Sequence, residues 1–190
     1  INSSLSSLSV KFDQNVLKET NSFSMVIDNE EDLAGLPAEE IRQAALLADS
    51  EGEHGKWVFK PTRVSMYPFL TYSSKRELRE ELLNSYLQRG DNDNEFDNKE
   101  VIAEMISLRK EKAEMMGFES HSDYVLDNTM AKTPENVDKL LQTIWKPGIE
   151  KAKGEVDAMQ SLIVSEGLNF DLSAWDWWHY SEKLRQEQFD

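Results

Sequence analysis

The feature of this sequence that most constrains its fold is the recurrence of apolar residues at three- and four-residue spacing. Near the start of the chain the pattern comprises Leu5, Leu8, Phe12 and Val16. After residue 133 it comprises Val137, Leu141, Ile144, Ala152, Val156, Met159 and Ile163. Such spacing places apolar side chains along one face of a helix. It therefore predicts a mainly α, multi-helix chain.

Three pairs of residues have the side-chain acceptor and the returning carboxylate of a capping box, which marks the start of a helix. The pairs are Ser74 with Glu77, Asp97 with Glu100, and Ser173 with Asp176. The first two predict helices near 75–89 and 98–116, and the third predicts a last helix that extends through Leu184.

Glycine and proline give the other helix boundaries. A helix from residue 37 is predicted to end at the glycines of 52–55, and Gly117 and Gly167 are predicted to end two later helices. The Thr-Pro pair at 133–134 predicts the start of a long helix, because proline at the first helical position loses no hydrogen bond. Proline at 147 should kink that helix or split it in two.

Any β-structure is expected to be small. Residues 24–27 and 56–64 are the two strand candidates. Pro61 and Pro68 lack the amide that an interior strand must donate, so they confine a sheet here to edge positions.

The length and the charge of the chain limit its class. Its 190 residues correspond to about one domain, and we treat 1–190 as a single helical segment. A net charge of −15 argues against nucleic acid and anionic membranes as partners. Without cysteine the chain has no disulfide, thiol nucleophile or thiolate zinc site. The sequence does not distinguish a cytoplasmic from a periplasmic location, and we slightly favour the cytoplasm.

Metal-binding and catalytic patterns are absent from the sequence. His54, His121 and His179 lie more than four residues apart, and no HExxH occurs. Each histidine is expected at the surface or at the edge of a core. The adjacent carboxylates at 30–31, 39–40 and 80–81 are expected on solvated faces. We therefore assign no catalytic and no metal-ligating residue, and leave the substrate-binding residues unknown.

One acidic stretch resembles the opening of a calcium loop. Residues 91–95 read DNDNE, but Phe96 stands where such a loop needs glycine, and Ile102 stands where it needs a bidentate glutamate. The stretch is therefore predicted to be a solvated turn between helices.

The segment 175–180, WDWWHY, is too aromatic for an ordinary exposed helix. It has two interpretations. In the favoured one, Trp175, Trp178 and Leu172 lie on one side in the core, with acceptors for the indole N–H groups. In the other, the segment is a docking surface or the wall of a groove.

Several motifs in register resemble the thimet oligopeptidase family of zinc metallopeptidases, and the bacterial peptidyl-dipeptidases most closely. Residues 107–113 read SLRKEKA, 116–126 read MGFESHSDYVL, and 128–133 read NTMAKT. Supporting stretches are QNVL at 14–17, DLAGLP at 32–37, YPFL at 67–70, RGD at 89–91, and Trp175-Asp176 with Tyr180. His179 departs from the family pattern, which commonly has tyrosine there.

The resemblance implies that the chain is a middle piece of a longer enzyme, upstream of the HExxH that binds zinc and of a further glutamate ligand. Members of the family enclose a deep channel between two mostly helical halves and cleave short peptides. On this reading the parent binds zinc and peptides, and this segment helps to form the channel and is inactive alone. We then expect apolar faces on the 175–180 helix or on the helix after 133, covered by the rest of the parent chain, and a tendency to self-associate. The alternative is a free-standing acidic helical protein-binding module.

Overall fold

Helices dominate the computed structural model, which describes residues 1–189. The α-helices are α1 (Asn2–Ser22), α2 (Ala38–Glu51), α3 (Arg63–Tyr72), α4 (Arg76–Leu87), α5 (Lys99–Met115), α6 (His121–Leu126), α7 (Pro134–Ser165) and α8 (Trp177–Phe189). Short 3₁₀ helices cover Glu30–Leu33 and Ala174–Asp176. The prediction of a mainly α fold is confirmed.

A two-stranded antiparallel sheet joins β1 (Met25–Ile27) to β2 (Trp57–Phe59). Met25 pairs with Phe59, and Ile27 pairs with Trp57. Side chains alternate across a strand, so Met25 and Ile27 are buried while Val26 between them is exposed. The small β element lies where the sequence predicts it.

Most predicted helix boundaries are confirmed. The helices expected near 75–89 and 98–116 are α4 and α5, and α7 begins at Pro134. Gly52 ends α2 with a φ of 85°, and Gly117 follows α5 with a φ of 83°. These left-handed conformations favour glycine because it has no Cβ.

Two predicted caps are wrong. The Ser74 hydroxyl donates to the carbonyl oxygen of Ala34, and α4 follows Lys75, whose side chain makes no cap bond. Asp97 lies one residue before Asn98, the N-terminal flanking residue of α5. Its carboxylate accepts from the Lys99 amide at 2.8 Å instead, because a short acidic side chain readily bonds to the backbone of its own turn.

Two prolines, Pro68 and Pro147, are accommodated inside helices. Of the kink or split predicted at Pro147, the split does not occur, since α7 extends over 32 residues. Pro68 lies within α3, a helix that the sequence analysis did not place. A proline removes one hydrogen bond from a helix, and burial of Met66, Phe69 and Leu70 favours α3 despite that loss.

The chain divides into two compact units, each described by itself. The first comprises Ile1–Val16 with Gly90–Glu155. Its Asn98 links α1 and the loop before α5. The side-chain Nδ2 donates to the carbonyl of Phe12, and Oδ1 accepts from Asn15 Nδ2 at 3.0 Å. The backbone N–H of Asn98 donates to the carbonyl of Gly90. This buried amide holds the base of α5 to α1.

The second unit comprises Leu17–Arg89 with the described residues from Val156 onward. Its main core lies around the sheet and contains Met25, Ile27, Leu33, Leu36, Ala44, Phe59, Met66, Phe69, Leu70, Leu82 and Leu83. A smaller cluster contains Met159, Leu162, Ile163 and Tyr180. The second unit therefore buries most of the apolar side chains that are fully enclosed in the described chain.

Gly35 is a point of close backbone approach in the second unit. It has a φ of 90°, and a Cβ placed there would lie 2.3 Å from the carbonyl oxygen of Tyr72. The neighbouring Ala34 carbonyl accepts from the Ser74 amide at 2.9 Å. Only glycine fits this contact between the loop before α2 and the end of α3.

Candidate functional site

The most highly connected charged group in the second unit is Asp176, at the start of the tryptophan-rich segment. Its carboxylate is fully buried and accepts from Arg76 Nη2 at 2.9 Å and from Arg79 Nη2 at 2.7 Å. It also completes the capping box with the Ser173 amide at 3.1 Å. The cap predicted for Ser173 and Asp176 is therefore confirmed.

Arg79 is as buried as its partner, with 2% of its surface exposed. Its other nitrogens donate to the carbonyls of Ser73 at 2.8 Å and Trp175 at 3.2 Å. The Arg76 guanidinium lies 4.3 Å from the centroid of the Phe170 ring. With its oxygens occupied by two guanidinium groups, this carboxylate fixes α8 to α4 rather than offering a free ligand or base.

The arginine partners of Asp176 escaped the sequence analysis. They lie 97 and 100 residues away in the chain, and nothing in the local pattern pairs them. The available signal was Arg79 itself, which shares a helix face with the buried Leu82 and Leu83. A charged residue on an apolar face requires a buried partner.

The tryptophan-rich segment packs into the protein, as the favoured interpretation predicts. Trp175 and Trp178 contact the main core, and the Tyr67 and Trp178 rings lie 5.6 Å apart. Two details differ. Leu172 packs against the smaller cluster instead, and the buried Trp175 Nε1 has no hydrogen-bond partner among the described residues. The indole of Trp175 packs against apolar side chains of the main core and the Arg76 guanidinium, and none of these groups accepts a hydrogen bond.

His179 is buried and neutral. Its Nδ1 lies 3.1 Å from the carbonyl oxygen of Thr71, which only accepts, so the proton resides on Nδ1. Burial, aided by the positive charges of Arg79 and Lys183, lowers the pKa of His179 to about 4. Next to it, burial and Glu166 raise the pKa of Tyr180 to about 12. Neither group changes its charge near neutral pH.

The other two histidines differ from His179 and from each other. His54 is exposed, with Nδ1 3.0 Å from Asp49 Oδ1. His121 begins α6, and its ring centroid lies 6.3 Å from that of Tyr124. Within residues 1–189 no group of three or more His, Cys, Asp or Glu side chains is arranged to hold a metal.

The calcium-like stretch is a turn closed by a lysine, as the prediction of a solvated turn requires. Lys99 Nζ lies 2.6 Å from Asp91, 2.9 Å from Asp93 and 2.6 Å from Asp97. These contacts raise the pKa of Lys99 and lower that of Asp97. The ammonium group thus pairs with Asp91 and Asp93, two of the carboxylates that a calcium loop would direct to the ion.

The paired carboxylates are not buried either. The set comprises Glu30, Glu31, Glu39, Glu40, Glu80 and Glu81. Glu39 accepts from Arg42 Nη2 at 2.6 Å and from Gln43, which lowers the pKa of Glu39 to about 2. A carboxylate this acidic is a poor proton acceptor at neutral pH.

The first half of α7 carries an exposed apolar face, as predicted for the helix after residue 133. Leu141, Ile144 and Trp145 are 56%, 61% and 64% exposed. The 175–180 segment does not share this property, because its aromatic side chains are buried or half-buried.

Comparison with known proteins places these features in a family context. A family model described as peptidase family M3 matches residues 69–190. Oligopeptidase A of Haemophilus influenzae is 32% identical over 189 residues, which cover 97% of this chain and 28% of that protein. Dipeptidyl carboxypeptidase of Escherichia coli is 27% identical over 190 residues, which cover all of this chain and 28% of that protein.

A plant relative gives the same picture. A probable cytosolic oligopeptidase A of Arabidopsis thaliana is 29% identical over 198 aligned residues, covering all of this chain and 28% of that protein. The chain thus spans about three-tenths of the length of the curated relatives it matches. No helix within residues 1–189 combines the length and the apolar content that a membrane crossing requires.

Proposed function

Because this chain belongs to peptidase family M3, we propose that residues 1–190 form a non-catalytic helical segment of a longer zinc-dependent oligopeptidase of the peptidyl-dipeptidase type. The observation that carries this proposal is the M3 match over residues 69–190. The whole-chain alignments to oligopeptidase A and dipeptidyl carboxypeptidase support it. The parent hydrolyses short peptides.

We place the zinc of the parent on residues outside this segment. The described residues do not fit the metal, since they contain no group of His, Cys, Asp or Glu arranged to hold it. The buried carboxylate of Asp176 is already bonded to two arginines. Our proposal therefore assigns this segment no step in bond cleavage.

The role proposed for the segment is to form part of the wall of the substrate channel. The closed core of the second unit and its Arg76–Asp176–Arg79 network support a rigid structural role. The name of the Arabidopsis relative supports the cytoplasm as the compartment, which fractionation of the source cells would test.

Photocrosslinking tests the channel role. The parent protein is irradiated with a short peptide that carries benzoylphenylalanine and resists hydrolysis, and the labelled residues are identified by mass spectrometry. We expect adducts within residues 1–189 that disappear when excess unmodified peptide is added. Adducts confined to other parts of the parent would overturn the channel role, and a parent without zinc-dependent peptide hydrolysis would overturn the proposed activity.

A further inference from the structure

A groove lies along α5 in the first unit and consists of two adjoining cavities. The first, of about 450 Å³, lies between α1 and α5, and its apolar wall contains Phe12, Ile102, Met105 and Ile106. The second, of about 350 Å³, lies between α5 and the residues that begin α6. Ile106 and Arg109 line both cavities, which together are here called the α5 groove. Protein sites for small molecules commonly have volumes of about 300–1,000 Å³.

The apolar part of the α5 groove is short and open to water. Ile102, Ile106 and Arg109 recur at three- and four-residue spacing, so they lie on one face of α5. Ile102 is 43% exposed and Ile106 is 60% exposed. Because the next residue on this face is the charged Arg109, the apolar surface of α5 extends over about one helical turn. A packing helix needs an apolar face that continues over several turns, whereas a single ligand side chain needs only this much.

Arg109 brings an unpaired positive charge to the α5 groove. Within residues 1–189 its guanidinium has no hydrogen bond and no ion pair. Each of the other arginines of the chain has a side-chain partner, and these residues are Arg42, Arg63, Arg76, Arg79, Arg89 and Arg185. A guanidinium presents a planar fork of N–H donors that fits a carboxylate. Arg109 is therefore available to an anionic group of a ligand.

Glu119 places a negative charge in the same groove, where it lines the second cavity together with Arg109. In the described part of the chain its carboxylate forms no ion pair, either with Arg109 or with another cation. Lys110 also lines this cavity, and its Nζ lies 3.7 Å from Glu114 Oε1. Two opposite charges that line one cavity without pairing with each other are complementary to a ligand that carries both charges on separate groups.

His121 adds a polar group at this end of the groove. Its Nδ1 is buried and has no hydrogen-bond partner among residues 1–189, which leaves Nε2 as the ring nitrogen that a ligand can reach. A neutral imidazole with its proton on Nε2 donates one hydrogen bond, and an anion beside it favours that tautomer. The Ser120 hydroxyl, by contrast, already donates to Asp123 at 2.6 Å. The donors for a carboxylate are thus Arg109 and His121.

The three features together select the chemistry of the ligand. A fatty acid has an apolar chain and a carboxylate but no cation for Glu119. A sugar phosphate has no apolar group to cover Ile102 and Ile106. An apolar amino acid or a short apolar peptide carries an ammonium group, a carboxylate and an apolar side chain in one molecule.

We infer that the α5 groove binds a zwitterionic apolar amino acid or short peptide. The carboxylate of the ligand lies at Arg109 and His121. Its ammonium group lies at Glu119, and its apolar side chain packs against Ile106. The inference goes beyond the proposed function and does not depend on it, because every residue that it uses lies within the first unit.

Photocrosslinking with leucyl-photoleucine, a dipeptide whose second side chain carries a diazirine, tests the inference. The dipeptide is irradiated with the 190-residue chain and with the parent, and adducts are located by peptide mass spectrometry. We expect adducts on residues of the α5 groove in both proteins, and excess leucyl-leucine should abolish them. N-acetyl-leucyl-leucine and leucyl-leucine amide each lack one charge and should compete at least about 10-fold more weakly.

Free leucine, used as a further competitor, separates the two sources of the ligand. Competition equal to that of leucyl-leucine would identify an amino-acid site, and weaker competition would identify a peptide site. Either result supports the inference.

Variants that remove one charge test the two anchoring residues. Arg109→Gln and Glu119→Gln should each reduce the labelling at least about 10-fold. Both side chains are exposed, so their replacement should leave the fold intact. Lys151→Gln makes the same change of charge as Arg109→Gln at an exposed lysine of α7, and it should leave the labelling unchanged.

Four results would overturn the inference. Equal competition by the two blocked dipeptides would show that the groove takes only apolar groups. Labelling of the 190-residue chain but not of the parent would show that the rest of the parent covers the groove. Labelling that falls as the concentration of the 190-residue chain rises would assign the groove to a second copy, and adducts in neither protein would exclude the site. None of these results depends on peptide hydrolysis by the parent, so the proposed function is tested separately.

Discussion

Replacing Asp176 with asparagine removes the negative charge between Arg76 and Arg79 and leaves the size of the side chain unchanged. Arg79 is only 2% exposed, so its guanidinium cannot reach water without opening the contact between α4 and the 174–176 turn. Arg76 is partly exposed and is able to reorient. The variant thus leaves one buried arginine without its counter-charge.

The expected loss of stability follows from that geometry. Removing one partner of a buried ion pair costs about 3–5 kcal/mol, because the other charge stays desolvated. The whole free energy of unfolding of a domain is about 5–15 kcal/mol. We therefore expect Asp176→Asn to lower the midpoint of thermal unfolding by about 6–20 °C, at about 2–4 °C per kcal/mol for a chain of this length.

Urea unfolding followed by tryptophan fluorescence measures the loss in the free energy of unfolding. Asp171→Asn is the matched control. Asp171 is exposed and lies in the loop just before the 174–176 turn, so its replacement should change the stability by less than about 0.5 kcal/mol. The double variant Arg79→Met/Asp176→Leu should lose less than Asp176→Asn, since it removes both buried charges. A loss below about 1 kcal/mol for Asp176→Asn would refute the conclusion that this network holds α8 to α4.

Three further predictions concern pH, backbone strain and activity. The pKa of His179 is about 4 in the folded chain and about 6.5 in the unfolded chain. As the pH falls, the unfolded state therefore binds the proton first. The contribution to stability is complete above pH 6.5 and is lost as the pH drops towards 4. His179→Gln should flatten that dependence in urea titrations at successive pH values, and an unchanged slope in His179→Gln would contradict the assignment. Gly35→Ala should lower the melting temperature more than Gly52→Ala does. Both glycines have positive φ, but only a Cβ at Gly35 meets the Tyr72 carbonyl. Equal melting temperatures for the two variants would contradict this prediction. The 190-residue chain alone should neither retain zinc through purification nor cleave a quenched peptide, and stoichiometric zinc by elemental analysis would contradict this prediction.

Local signals in the sequence predicted much of the helical structure. The start of α7 at Pro134, the ends of α2 and α5 at Gly52 and Gly117, and the Ser173–Asp176 cap each depend on groups within a few residues of each other. Such groups meet whatever the rest of the chain does, because the helix itself brings them together. The family assignment has the same origin, since it depends on the order of short motifs.

Contacts between distant residues were decided by tertiary structure. Nothing near Asp176 in the sequence names Arg79 as its partner, and nothing near Ser74 predicts that its hydroxyl bonds to Ala34. Pro68 was interpreted only as confining a sheet to edge positions, yet it lies in α3, which forms because its buried side chains join a core built from other elements. Propensity is a weak preference that burial overrides.

By itself, the sequence determined the helical class of this chain, most of its helix ends and its membership of the M3 peptidases, because all three depend on residue order and short-range bonding. Tertiary structure alone decided which charges are buried together and which apolar faces are closed. The tryptophan-rich segment and the first half of α7 have similar apolar character in sequence, yet one packs against the main core and the other faces water. Burial is a property of what surrounds a side chain, and the amphipathic pattern of a helix does not specify that partner.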